Sequence, residues 1–200
     1  MIRSPQLVPL LLLLAISETP ALSQFAHPAH DAEYFPLAKV NSWKYQVRNV
    51  STSRVSTVEW RVTAADKTKE GIVYQVWPTP ADSDDQAMTL QMSSSGLQEA
   101  SSGVLIPKSP IAAGGSWTSP DPAHHRRFKI LVAGQPCHSR SIESGDCISV
   151  QDDDDRLPFR TVTTYAKGIG PIRYEYFEKD GKTGHPSQTV ELLSYHLISH

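Results

Sequence analysis

The chain has 200 residues, of which 39% are hydrophobic and 20% are charged, and its formal net charge at pH 7 is −2. This length suits one globular domain, and the near balance of acidic and basic side chains argues against nucleic acid or an anionic membrane as a partner. No repeat of solenoid or propeller length is present in the sequence.

The first 23 residues have the three parts of an export signal peptide. Arg3 supplies the positive charge, Leu7 to Ile16 form a short apolar run, and Ala21-Leu22-Ser23 is a small-x-small cleavage site before Gln24. The apolar run is too short to span a bilayer comfortably, and no later stretch is apolar enough to do so. The sequence predicts a soluble mature protein, periplasmic or secreted, without a transmembrane segment.

Residues 24–33 are polar, and we expect them to form a flexible lead-in to a single β-rich domain at 34–200. His27 and His30 beside Asp31 could hold a metal weakly, but no Cys or further His follows at a metal-ligand spacing. We therefore expect an unstructured segment here, and we predict no metal and no other cofactor for the chain.

Alternation of apolar and polar residues predicts that most of the domain is β-strand. Trp43 and Tyr45 begin the first alternating pattern, and Trp60 lies in the second. Further strands are predicted at 71–77, 88–92, 96–106, 128–132, 160–165 and 190–199, mostly bounded by glycines and prolines. The segment 160–165 is Thr-rich, and 190–199 has apolar residues on both faces, which suggests a strand covered on both sides. A short helix is the alternative at 88–92.

Two charged stretches are predicted to be exposed turns. His124, His125, Arg126 and Arg127 follow a proline and could bind a phosphate or a metal, but a solvated turn is the simpler interpretation. The acidic run Asp152–Asp155 lacks the spaced oxygen ligands and the glycine of a calcium loop. We expect this run at a solvated hairpin tip.

Cys137 and Cys147 flank a Ser-rich segment with Gly145, a pattern that favours a wide hairpin. Two cysteines of an exported chain normally pair, and directly opposed strand positions have Cα atoms about 4.5 Å apart, near the short end of the disulfide range. The alternative is a catalytic thiol activated by His138, but adjacent residues on a strand point to opposite faces. We predict a disulfide.

A Gly-x-Gly turn joins two of the predicted strands. Gly168 and Gly170 can take positive φ without a Cβ penalty, and Pro171 suits the first residue of a strand. Ile172 and Tyr174 then begin another alternating pattern. A phosphate-binding turn would need a Gly-x-x-Gly extension and a following helix, which the sequence does not predict. The turn is therefore expected to serve the fold.

Two short motifs carry a family resemblance. Tyr34–Leu37 with Asn41–Tyr45 match one motif, and Tyr165–Arg173 match the other. The chain resembles a group of exported bacterial envelope proteins that begin near Tyr-(Tyr/Phe)-Pro-Leu and Asn-x-Trp-x-Tyr and end near Tyr-Ala-x-Gly-(Val/Ile)-Gly-x-(Val/Ile)-(Lys/Arg). These are distantly similar to the curved sheets of outer-membrane lipoprotein carriers, and the resemblance implies no catalytic residue. Unlike many of them, this chain has no lipid-attachment Cys after its leader.

The predicted fold is mainly β: a single antiparallel, strongly curved sheet or open barrel of about eight to ten strands. The concave side of such a sheet must be filled, either by the protein's own side chains or by a lipophilic ligand. The candidate apolar face consists of Trp43, Tyr45, Trp60, Ile172 and Tyr174.

The sequence lacks a Gly-x-Ser-x-Gly elbow, a His-Glu-x-x-His motif, a Cys-x-x-Cys motif and a phosphate loop. The first functional hypothesis is an exported, non-enzymatic binding module for an apolar or lipid-like ligand, as the carrier-like resemblance implies. The alternative is a structural or protein-interaction domain of the envelope, with a filled core and an exposed sheet edge. A hydrolase of unknown class is third, and it would need a polar triad in a cleft.

Overall fold

The computed structural model describes residues 31–79, 87–100, 103–108, 110–119, 125–140, 142–180 and 184–198. The predicted leader and the histidines at 27, 30 and 124 lie outside these ranges. The described ranges contain one helical turn, α1 (Asp31–Tyr34), which includes the last three residues of the expected lead-in. None of the helical structure in these ranges is long and apolar enough to span a lipid bilayer.

Twelve β-strands make up the rest of the regular structure in the described ranges. They are β1 (Ser42–Asn49), β2 (Val55–Lys67), β3 (Ile72–Thr79), β4 (Met88–Ser93), β5 (Gly96–Glu99), β6 (Gly103–Pro107), β7 (Ser116–Thr118), β8 (Arg126–Ser139), β9 (Ile142–Asp154), β10 (Phe159–Ala166), β11 (Gly170–Glu178) and β12 (Gln188–His196).

All strands belong to one antiparallel sheet with the order β6-β5-β4-β3-β2-β1-β12-β11-β10-β9-β8-β7. The mainly β, single-sheet prediction is confirmed, but the sheet has 12 strands rather than eight to ten. One reason is that 96–106 is a hairpin of β5 and β6 rather than one strand, with Gly103 at a φ of 84° where β6 begins. The short β7 around Trp117 adds another strand.

One face of the sheet is buried, as the alternating sequence requires. In β1, for example, the buried Trp43 and Tyr45 alternate with the exposed Lys44. The largest fully buried side chains are Trp43, Tyr34, Tyr45, Leu90, Leu97, Ile106, Ile130, Ile148, Ile172, Leu192, Val62 and Val76. Tyr34 belongs to α1, and the others come from strands along most of the sheet, so the core is shared by both halves of the strand order.

The edge strands β6 and β7 lie at opposite ends of the strand order, yet they are in contact. The indole Nε1 of Trp117 in β7 donates a hydrogen bond to the carbonyl oxygen of Val104 in β6, at 2.7 Å. One strand further in on each side, Arg126 of β8 lies 3.6 Å from Glu99 of β5. The two ends of the sheet therefore face each other, although no strand ladder closes them.

The hairpin of β8 and β9 corrects both predictions of a solvated charged turn. Arg126 and Arg127 begin β8 and lie opposite Asp154 and Asp153, which end β9. Arg127 forms ion pairs with Asp153 at 3.1 Å and with Asp155 at 2.9 Å. Opposite charges on neighbouring strands stabilise a ladder, and this pairing explains why Arg126, Arg127 and Asp152–Asp154 are strand rather than turn. Asp155 lies in the turn that follows β9.

The predicted disulfide between Cys137 and Cys147 is present and joins β8 to β9. The two cysteines are not directly opposed, since Cys137 lies opposite Ser144 and Cys147 lies opposite Gln135. Shifts in the register of β8 separate these two pairs, and the Cα–Cα distance is 6.0 Å. The hairpin reverses tightly at Arg140, which has a φ of 47°, and not through the wide loop that was expected.

Candidate functional site

A cavity of about 280 Å³ lies where the two ends of the sheet face each other. Its lining comes from β4, β5 and β6 on one side and from β8, β9, β10 and β11 on the other. The volume is just below the usual range of roughly 300–1,000 Å³ for ligand pockets. A cavity bounded by both ends of one sheet is a feature of the described part of the fold that could hold a small molecule.

Strand β10 shows how the sequence builds the wall of this cavity. Its cavity-lining residues are every second one along the strand: Phe159, Thr161, Thr163 and Tyr165. Successive side chains of a strand point to opposite faces, so this spacing directs all four to the inner face. Tyr174 and Tyr176 follow the same rule on β11, and the wall is therefore rich in aromatic rings.

Three charged side chains line the cavity among the described residues, and we call Glu99, Arg126 and Asp152 the charged triplet. Arg126 donates two hydrogen bonds to Asp152, from Nε to Oδ1 at 2.8 Å and from Nη2 to Oδ2 at 2.5 Å. Its Nη1 lies 3.6 Å from Oε2 of Glu99. Each of the three side chains is 19% exposed, so the triplet reaches solvent at the edge of the cavity.

The charged triplet sits against the apolar wall. The guanidinium of Arg126 lies over the ring of Phe128, 5.2 Å from its centroid. Burial by itself would lower the pKa of Arg126, but the hydrogen bonds and charge of Asp152, together with the charge of Glu99, outweigh it and raise the pKa. Burial, reinforced by the charge of Asp152, also raises the pKa of Tyr165. At neutral pH the wall thus presents a cationic guanidinium and a protonated hydroxyl.

The residues predicted as an apolar face lie in two environments. Trp43, Tyr45 and Ile172 are between 0% and 1% exposed and fill the core. Trp60 is partly buried and packs against the same core. Tyr174 lines the cavity, so the structure places one of the five predicted residues in the candidate site and uses the other four in packing.

The aromatic residues Phe128 and Tyr165 are important wall residues that the sequence analysis did not select. Both lie in predicted alternating strands, so the pattern could show that they point inward. It could not show that they share a cavity lining with Leu90 of β4, because that arrangement depends on how the distant ends of the sheet come together.

The two sequence motifs that carry the family resemblance pack directly against each other. Trp43 Nε1 donates a hydrogen bond to the carbonyl oxygen of Ile169 at 2.6 Å, and the Tyr45 hydroxyl donates to that of Pro171 at 2.9 Å. The backbone N–H of Gly168 donates to the carbonyl oxygen of Glu33 in α1, at 2.6 Å. Three residues of the N-terminal segment, Glu33, Trp43 and Tyr45, thus form hydrogen bonds with the Gly-x-Gly turn and the proline that follows it.

Phe35 connects this motif contact to the cavity. Its ring packs edge-on against Trp43, with centroids 5.1 Å apart, and it also contacts Tyr165, with centroids 6.3 Å apart. Phe35 is itself part of the cavity lining. The N-terminal motif therefore supplies one residue of the cavity wall, Phe35, and supports another, Tyr165. Gly168 and Gly170 of the second motif do not line the cavity.

Two other depressions are present in the described part of the chain. One of about 380 Å³ lies beside the disulfide, near His138 and Glu143, and one of about 370 Å³ lies near Arg160 and Phe177. Neither is bounded by both ends of the sheet. No cluster of three or more His, Cys, Asp or Glu side chains among the described residues is placed to hold a metal ion.

No protein-family model and no curated protein sequence matches the chain. Its structure is similar to the crystal structure of a Bacteroides fragilis protein, which is described provisionally as exported and as having a YmcC-like fold. The TM-score is 0.52, and the sequences are 10% identical over 82% of this chain and 98% of that chain. A Parabacteroides distasonis protein, described provisionally as a lipoprotein, gives a TM-score of 0.43 and 11% identity over the same shares. At 10% identity the first likeness concerns the fold alone.

Proposed function

We propose that this chain is an exported, non-enzymatic binding protein of the cell envelope that holds an apolar, lipid-like ligand in the cavity between the sheet ends. The observation that carries the proposal is the cavity wall, where aliphatic and aromatic side chains of six strands converge around a few polar groups. This combination is typical of small-molecule sites, in which apolar area provides affinity and a few polar groups fix orientation.

The proposal includes a strongly curved sheet. The hydrogen bond between Trp117 and Val104 supports curvature, because it connects the first and last strands of the sheet order. The approach of Arg126 to Glu99 supports it in the same way, one strand further in. Open sheets of more than about ten strands usually curl, and the register shifts between several strand pairs of this sheet add local bends.

Export is supported by the leader pattern at 1–23 and by the disulfide, since structural disulfides persist in oxidising compartments. The export description of the Bacteroides fragilis protein agrees with this part of the proposal. The paired motifs around Trp43 and Gly170 agree with membership of the exported envelope group that the sequence resembles. Between a periplasmic and a secreted location we propose the periplasm, because that group belongs to the envelope.

The alternative of an envelope interaction domain that uses an exposed sheet edge has less support. Strands β6 and β7 have five and three residues, so each offers few backbone groups to an added strand. Trp117 also occupies one carbonyl group of the β6 edge. The edges are therefore short and turned toward each other, which favours the cavity as the working surface.

Filling the cavity tests the proposal. Thr161 lines the cavity, whereas its strand neighbour Val162 points to the opposite face and has a comparable intermediate exposure. We expect the mature protein to bind the neutral fluorescent probe N-phenylnaphthylamine. We also expect Thr161→Phe to weaken that binding by on the order of tenfold or more, because the added ring occupies ligand volume.

Val162→Phe is the matched control and should bind the probe as the wild type does. Both variants are first compared by thermal unfolding, so that a loss of binding is assigned to a folded protein. Equal probe binding by the wild type and Thr161→Phe would contradict the proposed site, and absence of binding by the wild type would contradict the proposed function.

A further inference from the structure

The charged triplet at the edge of the cavity determines which ligands fit it. We infer that the cavity selects apolar molecules with a neutral or cationic polar head and disfavours those with an anionic head. The inference rests on the proposed function, because it concerns the ligand of the same cavity. It goes further by assigning the chemical class of the head group from the arrangement of Glu99, Arg126 and Asp152.

The charged side chains of the lining carry a net negative charge. Among the described lining residues, Arg126 carries one positive charge and Glu99 and Asp152 carry one negative charge each, so their sum is −1. The wall around them is apolar, and charges interact more strongly beside a low-dielectric surface than in bulk water. A carboxylate or phosphate head would add a second net negative charge to this edge of the cavity, whereas an ammonium head would neutralise the first.

The guanidinium of Arg126 is already engaged by the carboxylates of the triplet. Arginine recognises carboxylates and phosphates through a planar fork of two parallel N–H groups. Here Nε and Nη2 of Arg126 form such a fork with the two carboxylate oxygens of Asp152. The remaining Nη1 is directed toward Glu99. An anionic ligand would therefore have to displace an internal carboxylate to be recognised by this arginine.

The different exposure of the lining residues places the head group at the triplet. Leu90, Phe128 and Val150 line the buried part of the cavity and are 0%, 2% and 3% exposed. The side chains of the triplet are each 19% exposed and share the lining with them. An amphiphile that buries its chain against the apolar wall thus brings its head to the triplet, where the carboxylates of Glu99 and Asp152 can accept hydrogen bonds.

Three amphiphiles with the same alkyl chain test the inference on the full mature protein. Decylamine, decanol and decanoate are used at neutral pH, below their micelle concentrations, to displace N-phenylnaphthylamine. We expect decylamine to bind at least as tightly as decanol, and decanoate to bind on the order of tenfold more weakly than decylamine. Decanoate binding as tight as decylamine binding would overturn the inference but leave the proposed function standing. No binding by the probe or by any of the three would overturn both.

A charge-removing variant assigns the selectivity to the triplet. Glu99→Gln removes one negative charge from the lining and should reduce the difference in affinity between decylamine and decanoate. Glu175→Gln is the control: Glu175 also forms an ion pair with an arginine and is 20% exposed, but its strand neighbours, not Glu175 itself, line the cavity. An unchanged affinity ratio in Glu99→Gln, with a melting temperature like that of the control, would overturn the assignment.

Discussion

Gly170 lies directly beneath the indole ring of Trp43, and this contact explains why a glycine is needed there. Its φ is 110°, and a Cβ at this position would lie 2.9 Å from Nε1 of Trp43. That indole nitrogen is already fixed by its hydrogen bond to Ile169. Gly168 also has a positive φ, 74°, but a Cβ there would meet no atom within 4 Å. A side chain at Gly170 would therefore collide with Trp43, whereas a side chain at Gly168 would meet no neighbouring atom.

We predict that alanine at either position lowers the melting temperature, and that Gly170→Ala lowers it more than Gly168→Ala. A left-handed backbone costs a non-glycine residue about 1–2 kcal/mol, and this cost applies to both variants. Gly170→Ala adds the collision with Trp43, which must shift to relieve it. Thermal unfolding of both variants gives the comparison, and probe binding by the folded fraction should hardly change, since neither glycine lines the cavity.

Gly145 provides the control for this prediction. A Cβ at Gly145 would meet no atom within 4 Å, and its φ lies outside the left-handed region. Gly145→Ala should therefore unfold at or slightly above the wild-type temperature. The structural role of the turn would be refuted by wild-type melting temperatures for both turn variants together with a loss of probe binding.

The end of β9 and the turn after it form the most highly charged element of the described chain. The side chain of Asp154 is 5% exposed. Its carboxylate accepts hydrogen bonds from three groups of Arg156: the backbone N–H, Nε and Nη2. The hydrogen bonds from the Arg156 side chain contribute most to holding the pKa of Asp154 well below its usual range. A hydrogen bond from Lys179 is the main cause of the lowered pKa of Asp153.

These lowered pKa values predict loss of stability in acid. A carboxyl whose pKa is lower in the folded than in the unfolded chain stabilises the fold above the unfolded pKa, about 3.9 for Asp. That contribution is lost as the pH falls from there through the folded pKa. We expect the free energy of unfolding, measured by denaturant titration, to decrease below about pH 4, and Asp154→Asn to make the decrease shallower.

Asp155 is the matched control, because it neighbours Asp154 in sequence but its side chain is 51% exposed. Asp155→Asn should keep the acid dependence of the wild type, since exposed ion pairs contribute little to stability. If Asp154→Asn and the wild type lost stability identically between pH 5 and the acid limit of folding, the assigned role of Asp154 would be wrong.

The end of β9 was not predicted from the sequence, although other strands were. Alternation correctly predicted strands such as β1 and β2, because the side-chain period of a strand is a local property. Alternation did not predict a strand at Asp152–Asp154, because all three residues are acidic. This segment is a strand because Arg126 and Arg127 of β8 lie opposite Asp154 and Asp153. The disulfide could be predicted from export and spacing, whereas the offset register of its cysteines follows from bulges that leave no pattern in the sequence.

At the level of the whole sheet, the cavity is a consequence of how the ends of the strand order meet. Leu90 belongs to one end and Phe128 to the other, and both line the cavity. Their place in one lining depends on the arrangement of all the strands between them, so no local segment predicts it. The sequence could therefore indicate which residues point inward, but not which of them pack together and which enclose space.

Native mass spectrometry of the mature protein, purified without detergent from the envelope of the cells that make it, tests the central claim most directly. The account predicts a one-to-one complex with a small apolar molecule. Thr161→Phe should abolish the complex, and Val162→Phe should preserve it, because only the former side chain enters the cavity. The claim would be contradicted if the wild-type protein showed only the mass of the unliganded chain, both as purified and after incubation with decanol.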